Sequence, residues 1–205
     1  MNTPDLNTLV AGFDHEAFGS QAVFRTALQA LSHPARPIDM PMGAAAPSHG
    51  HMAAAVLLLG LLDADTRLWL SPSLAGSDAA AWLRFHTGCT LVTDPAQAQF
   101  CWFAQSDECP SLAELAQGSD TWPDQSATCV IEVQRLQADA AGWTLQGPGI
   151  PGERQLKVQG LPADFEAQWE DNHARFPRGV DVFLASPTQI AGLPRTTSLQ
   201  PLAKV

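Results

Sequence analysis

The chain has 205 residues, with 11 Lys and Arg against 21 Asp and Glu and a net charge of −10, so it lacks the basic stripe on which a nucleic-acid binder relies. With 45% hydrophobic and 16% charged residues it reads as a soluble globular protein poor in surface charge, long enough to bury a core without disulfides or metals. Six tryptophans and nine phenylalanines without a tyrosine imply large apolar faces, some of them available to another subunit.

A single domain over residues 1–205 is expected, with residues 1–12 as a loose arm. Asp14 marks a helix start, and Phe18, Ala22, Phe24, Ala27, Leu28 and Leu31 trace a stripe of helical period up to His33-Pro34. Arg36-Pro37 through Pro47 is a broken connection. A second helix from near Ser48 to Leu62 is apolar nearly all round, which predicts deep burial. Residues 66–70 read as a strand, and residues 77–85 as a helix ending in His86-Thr87-Gly88. Residues 99–104 form the next strand and residues 111–117 a short helix. Residues 128–136 alternate as a third strand, with residues 142–146 as its hairpin mate. Gly147-Pro148-Gly149-Ile150-Pro151-Gly152 is a turn, residues 164–174 a helix carrying Phe165 and Trp169, and two apolar strands close the chain. The fold class expected is α/β, a mixed sheet with helices on both faces.

The cysteines, Cys89, Cys101, Cys109 and Cys129, form neither a Cys-x-x-Cys pair nor a zinc-finger pattern. There is no basic-then-apolar leader, and the apolar run at residues 52–62 is too short for a bilayer. A cytoplasmic protein with reduced thiols and no membrane association follows as the expectation. His49 and His51 point about 200° apart on a helix, so no metal site is expected. Neither a Gly-x-Ser-x-Gly elbow nor a Walker loop occurs. Of the two lysines, Lys157 follows a turn and Lys204 lies on the tail, so neither makes a convincing Schiff base.

The anion-binding candidates are Arg84, His86, Arg178, Arg195, Thr196 and Thr197, all at element ends in an acidic chain. Arginine offers a bidentate fork, and threonine hydroxyls add donors. The alternatives are structural: Arg195 pairs with Asp181 across neighbouring strands, and Arg84-Phe85-His86-Thr87-Gly88 is a helix C-terminus with cations set against the dipole. Gly147-Pro148-Gly149-Ile150 is either a phosphate cradle or, with an extended segment following, a plain turn.

Several segments, in order, resemble one family: Phe24-Arg25-Thr26-Ala27-Leu28-Gln29-Ala30-Leu31-Ser32-His33-Pro34, Trp82-Leu83-Arg84-Phe85-His86-Thr87-Gly88, Gly118-Ser119-Asp120 with Pro123-Asp124-Gln125-Ser126-Ala127-Thr128, Leu145-Gln146-Gly147-Pro148-Gly149-Ile150, Phe176-Pro177-Arg178-Gly179-Val180-Asp181, and Leu193-Pro194-Arg195-Thr196-Thr197. Together they resemble the PhnH family, a subunit of the bacterial carbon–phosphorus lyase system for phosphonate breakdown. Ala35 departs from that pattern, which has glycine after the proline, and this leaves the turn geometry open. The resemblance implies a homodimer with a three-layer α/β sandwich similar to pyridoxal-phosphate transferases but without the cofactor. It implies assembly with PhnG, PhnI and PhnJ. It also implies a non-catalytic or co-catalytic role in displacing adenine from ATP by a phosphonate, giving ribose 1-phosphonate 5-triphosphate, upstream of the lyase step. No catalytic residue is carried over. The competing readings are an independent small-molecule transferase or hydrolase acting on a phosphate-like substrate, and a ligand-free scaffold.

Overall fold

A computed structural model describes residues 10–41 and 43–201. The larger of two sheets has seven strands: β1 (Ile38–Asp39), β2 (Arg67–Leu70), β3 (Thr90–Leu91), β4 (Phe100–Phe103), β5 (Thr128–Glu132), β8 (Asp181–Ala185) and β9 (Gln189–Leu193), in the order β1-β9-β8-β5-β4-β2-β3. β3, β2, β4, β5 and β8 run parallel, and the β8–β9 hairpin and β1 add an antiparallel edge. The smaller sheet, β10-β6-β7, is antiparallel and made of β6 (Arg135–Gln146), β7 (Arg154–Gln159) and β10 (Ser198–Pro201). The helices are α1 (Glu16–Ser32), α2 (Met52–Leu61), α3 (Pro72–Ala75), α4 (Asp78–Thr87) and α5 (Phe165–Ala174).

The large sheet is buried on both sides, which explains the near-continuous apolar runs of its central strands. Side-chain alternation divides those strands between two cores. Leu68, Leu70, Trp102, Val130, Phe183, Ala185 and Ile190 face the helical core, with α1, α2 and α4. Trp69, Cys101, Phe103, Cys129, Ile131, Val182 and Leu184 face the other core, built with Leu136, Trp143, Leu145 and Leu156 of the small sheet and Phe165 and Trp169 of α5. Helices therefore cover one face, while the small sheet and α5 share the other. α2 is apolar all round because it is enclosed by α1, α4 and the sheet, and every residue from Ala53 to Leu59 is buried.

Three expectations change. The stripe on α1 is the buried face only in part: Ala27 is buried and Leu31 packs against the core, but Phe18, Phe24 and Leu28 are 76%, 50% and 52% exposed, and Val23 and Ala30 are buried instead. Small residues line the close approach of α1 to α2 and β9, and Phe18, Phe24 and Leu28 are left outside. Residues 142–146 are not the mate of residues 128–136. β5 lies between β4 and β8, whereas residues 142–146 belong to the long strand β6, which pairs with β7 and β10. The short helix at residues 111–117 shrinks to a 3-10 turn over Leu112–Glu114, closed by a capping box in which Ser111 and Glu114 satisfy each other's backbone N–H groups.

Two turns are explained by close approach. A Cβ at Gly149 would overlap the Ser32 carbonyl and the Pro34 ring, so the Gly-Pro-Gly loop packs on the end of α1 at this glycine. Ala35 is buried with φ 62, the left-handed conformation glycine takes most easily, and its N–H donates to the Gly192 carbonyl. Of the N-terminal arm, residues 1–9 lie outside the described residues. Val10 is tied down, its carbonyl accepting from Trp82 Nε1 at 3.0 Å and from His86 Nε2 at 3.1 Å.

Candidate functional site

The six anion candidates do not meet at one point. Arg195 sits at the amino end of the parallel strands, beside the start of β8. Its Nη2 lies 2.6 Å from Asp181 Oδ2, and its Nε and backbone N–H both donate to Asp181 Oδ1. Nη2 also donates to Ser126 Oγ, and Nη1 to the carbonyls of Pro123 and Pro177 at 3.0 and 3.2 Å. This is the cross-strand pairing that competed with anion binding in the sequence, and it engages the whole guanidinium. Thr197 is fully buried; its carbonyl accepts from Trp169 Nε1, and its hydroxyl has no partner among the described residues.

Arg178 stands in the same corner, on the loop whose Pro177 carbonyl Arg195 holds. It is half-exposed and pairs with the exposed Asp120 at 3.2 Å, a contact of small energetic weight. Arg84 and His86 lie apart at the end of α4, with no polar contact to that corner among the described residues. Gly88 caps α4 with φ 73, its N–H donating to the Arg84 carbonyl. His86 packs edge-on against Trp82 and Phe85 and bonds Val10.

The opposite, carboxyl end of the parallel strands is where open α/β sheets hold ligands. Polar loops gather there after β2, β4 and β5. Glu132, 4% exposed at the end of β5, accepts from the backbone N–H of His51 and from Trp102 Nε1 at 3.0 Å. His51 is the N-cap of α2, so this buried carboxylate closes the positive end of the most buried helix. His51 Nδ1 in turn bonds the Ala185 carbonyl at 3.0 Å. At the start of α4, Asp78 accepts from the Ser48 N–H and hydroxyl and from His49. Burial pushes its carboxyl upward, but the Ser48 bonds and His49 outweigh that and hold it at about 2. Asp107 is likewise lowered, burial being overcome by bonds from Ser71 and Ser73.

Beside these groups, on the face shared by the small sheet and α5, lies a cavity of about 490 Å³. Gln105, Asp107, Asp164 and Gln168 bring polar groups to it, and Phe103, Ile131 and Leu161 supply apolar wall. Cys109 also lines it, its thiol pushed up to about 12 by burial and by the charge of Asp107. Sequence reasoning passed over this cavity. One signal for it was present: a polar run, Gln105 to Glu108, just after an apolar strand.

Among the described residues no group of three or more His, Cys, Asp and Glu could hold a metal, and no helix is long and apolar enough to cross a membrane. The sequence matches the family model described as "Bacterial phosphonate metabolism protein (PhnH)" over residues 11–200. It is 35% identical over 190 residues to the alpha-D-ribose 1-methylphosphonate 5-triphosphate synthase subunit PhnH of Rhizobium meliloti, covering 92% of this chain and 94% of that one. It is 30% identical over 179 residues to a candidate C–P lyase subunit protein, HtxG, of Stutzerimonas stutzeri, covering 87% and 85% of the two chains.

Proposed function

The chain belongs to the PhnH family of bacterial phosphonate metabolism proteins, and we propose that it works as the PhnH subunit of a carbon–phosphorus lyase system in the cytoplasm. In this reading it forms a homodimer and assembles with PhnG, PhnI and PhnJ. The assembly displaces adenine from ATP by a phosphonate, giving ribose 1-phosphonate 5-triphosphate, and this chain contributes surfaces to that step without a cofactor of its own. A three-layer sandwich similar to the pyridoxal-phosphate transferases belongs to the same reading. The observation that carries it is the end-to-end match to the Rhizobium meliloti synthase subunit.

Two apolar surfaces support a role inside an assembly. On α1, Phe24 and Leu28 lie one turn apart and exposed, with Phe18 also exposed six residues before Phe24, about 120° around the helix. Phe85 and the first turns of α1 border one shallow recess. At the amino end of the sheet, Trp122 and Phe176 are 58% and 60% exposed. Each directly precedes a proline whose carbonyl Arg195 holds, so one buried guanidinium sets the position of two exposed aromatics. Large aromatics of this kind carry much of the energy of protein interfaces. The Arg195 corner thus serves docking, and of the three candidate arginines only Arg84 and Arg178, the latter paired with the exposed Asp120, reach solvent.

Co-expression with tagged PhnG, PhnI and PhnJ is the test. The wild-type chain is expected to co-purify and to support nucleotide turnover, and Phe24→Asp with Leu28→Asp, or Trp122→Asp, to reduce capture while leaving the fold intact by circular dichroism. A pure preparation that turned over phosphonate and ATP unaided would overturn the reading.

A further inference from the structure

The cavity at the carboxyl end of β4 and β5 is large enough for a small organic molecule, within the range of roughly 300 to 1,000 Å³ usual for ligand sites. Its chemistry is selective. Among the described residues that line it none is basic, whereas Asp107, Glu108 and Asp164 contribute carboxylates. A phosphonate or a triphosphate entering here would meet like charge with no cation to offset it. The walls are instead suited to a flat apolar body, with Phe103, Ile131 and Leu161 around it.

The polar groups fall into two kinds. The carboxylates accept only: Asp107 is already held by Ser71 and by the Ser73 N–H and hydroxyl, while Asp164 receives Gln168 Nε2 on Oδ2 at 2.8 Å, which leaves its Oδ1 open to a donor. Gln105 both donates and accepts. Its backbone N–H points to Glu132, while its side-chain amide takes no partner among the described residues. The amide is given room by Gly160, at φ 97, where a Cβ would come within 2.8 Å of Gln105 Nε2. A ligand that matches this set is flat, carries an N–H donor for the carboxylates, and carries a ring nitrogen for the amide.

We infer that this cavity binds an amino-substituted nitrogen heterocycle of the nucleobase class and excludes the phosphonate. The class rests on the cavity; the choice of adenine within it rests on the proposed function, in which adenine is the group released. The site would then hold the base while phosphate-bearing parts of the nucleotide lie elsewhere in the assembly.

The test is titration of adenine into the purified full-length protein, followed by calorimetry and by ligand-observed NMR, with methylphosphonate as the competitor. Adenine is expected to bind. Gln105→Ala should weaken it about ten-fold, the size of one hydrogen bond to a desolvated group. Leu161→Trp, which fills the cavity from its wall, should abolish it, and methylphosphonate should not compete. Absence of adenine binding at millimolar concentration, affinity unchanged in both variants, or displacement by methylphosphonate would each overturn the inference. Co-purification with partners keeps the two ideas apart: a chain that assembles but ignores adenine sinks the cavity assignment alone, and one that binds adenine but never assembles sinks the proposed function alone.

Discussion

Replacing Arg195 by alanine separates a structural arginine from an anion-binding one. The guanidinium side chain is 11% exposed and its partner Asp181 26% exposed. Removing it leaves a largely buried carboxylate, the Ser126 hydroxyl and two proline carbonyls without this donor. Truncating one member of a buried pair costs roughly 3–5 kcal/mol. Asp181 retains the backbone N–H of residue 195 at 2.8 Å and some access to water, so the lower end applies, about 3 kcal/mol. With a urea slope of roughly 2–3 kcal/mol per molar for a chain of this size, the midpoint should fall by about 1 to 1.5 M. Equilibrium urea unfolding followed by tryptophan fluorescence reads this directly. The double variant Arg195→Ala with Asp181→Ala should cost less than the sum of the single changes, with a coupling of about 1–2 kcal/mol. In the same experiment, quenching of the exposed tryptophan fluorescence by acrylamide should change, because the loop carrying Trp122 loses its tether. A variant with wild-type stability that instead lost affinity for ATP or phosphonate would refute the structural account and restore the anion site.

Thr197→Val removes a fully buried hydroxyl that lacks a partner among the described residues, so it should raise stability by about 1 kcal/mol in the same unfolding assay; a loss would mean the hydroxyl is bonded in solution. Asp78 has a folded-state pKa of about 2 against 3.8 for the free side chain, so below the higher value the unfolded chain binds more protons. Its contribution is full above about pH 4 and is lost as pH falls toward 2, and Asp78→Asn should flatten that part of the acid unfolding profile; an unchanged profile counts against the Ser48–His49 clamp. Burial raises the thiols of Cys89 and Cys129, the latter strongly, and holds Cys109 near 12, so native protein at pH 8 should react slowly with a disulfide reagent, and fast only after denaturation. One rapidly modified thiol in the native protein would contradict that picture.

Local chemistry was readable wherever a residue's role depends on its neighbours along the chain. Proline after His33 ends α1, Gly88 caps α4, and the apolar runs at β4, β5 and β8 announce strands covered on both faces. The family was legible too, because its segments are short and keep their order. What sequence could not supply was which surface each segment meets. The stripe of Phe18, Ala22, Phe24, Ala27, Leu28 and Leu31 has the period of a buried face, yet only Ala27 and Leu31 of it turn to the core, beside Val23 and Ala30, while Phe18, Phe24 and Leu28 stay exposed. Residues 142–146 alternate as a hairpin strand should, but their partners lie in a separate sheet. Arg195 and Asp181 stand fourteen positions apart, and only the β8–β9 pairing brings them into a bonded pair. The cavity is assembled from loops after two strands and the start of α5, so no single segment carries its pattern. Helix caps and strand periodicity are set by backbone geometry over a few residues, whereas pairing, burial and charge compensation depend on distances that exist only once the sheets have formed.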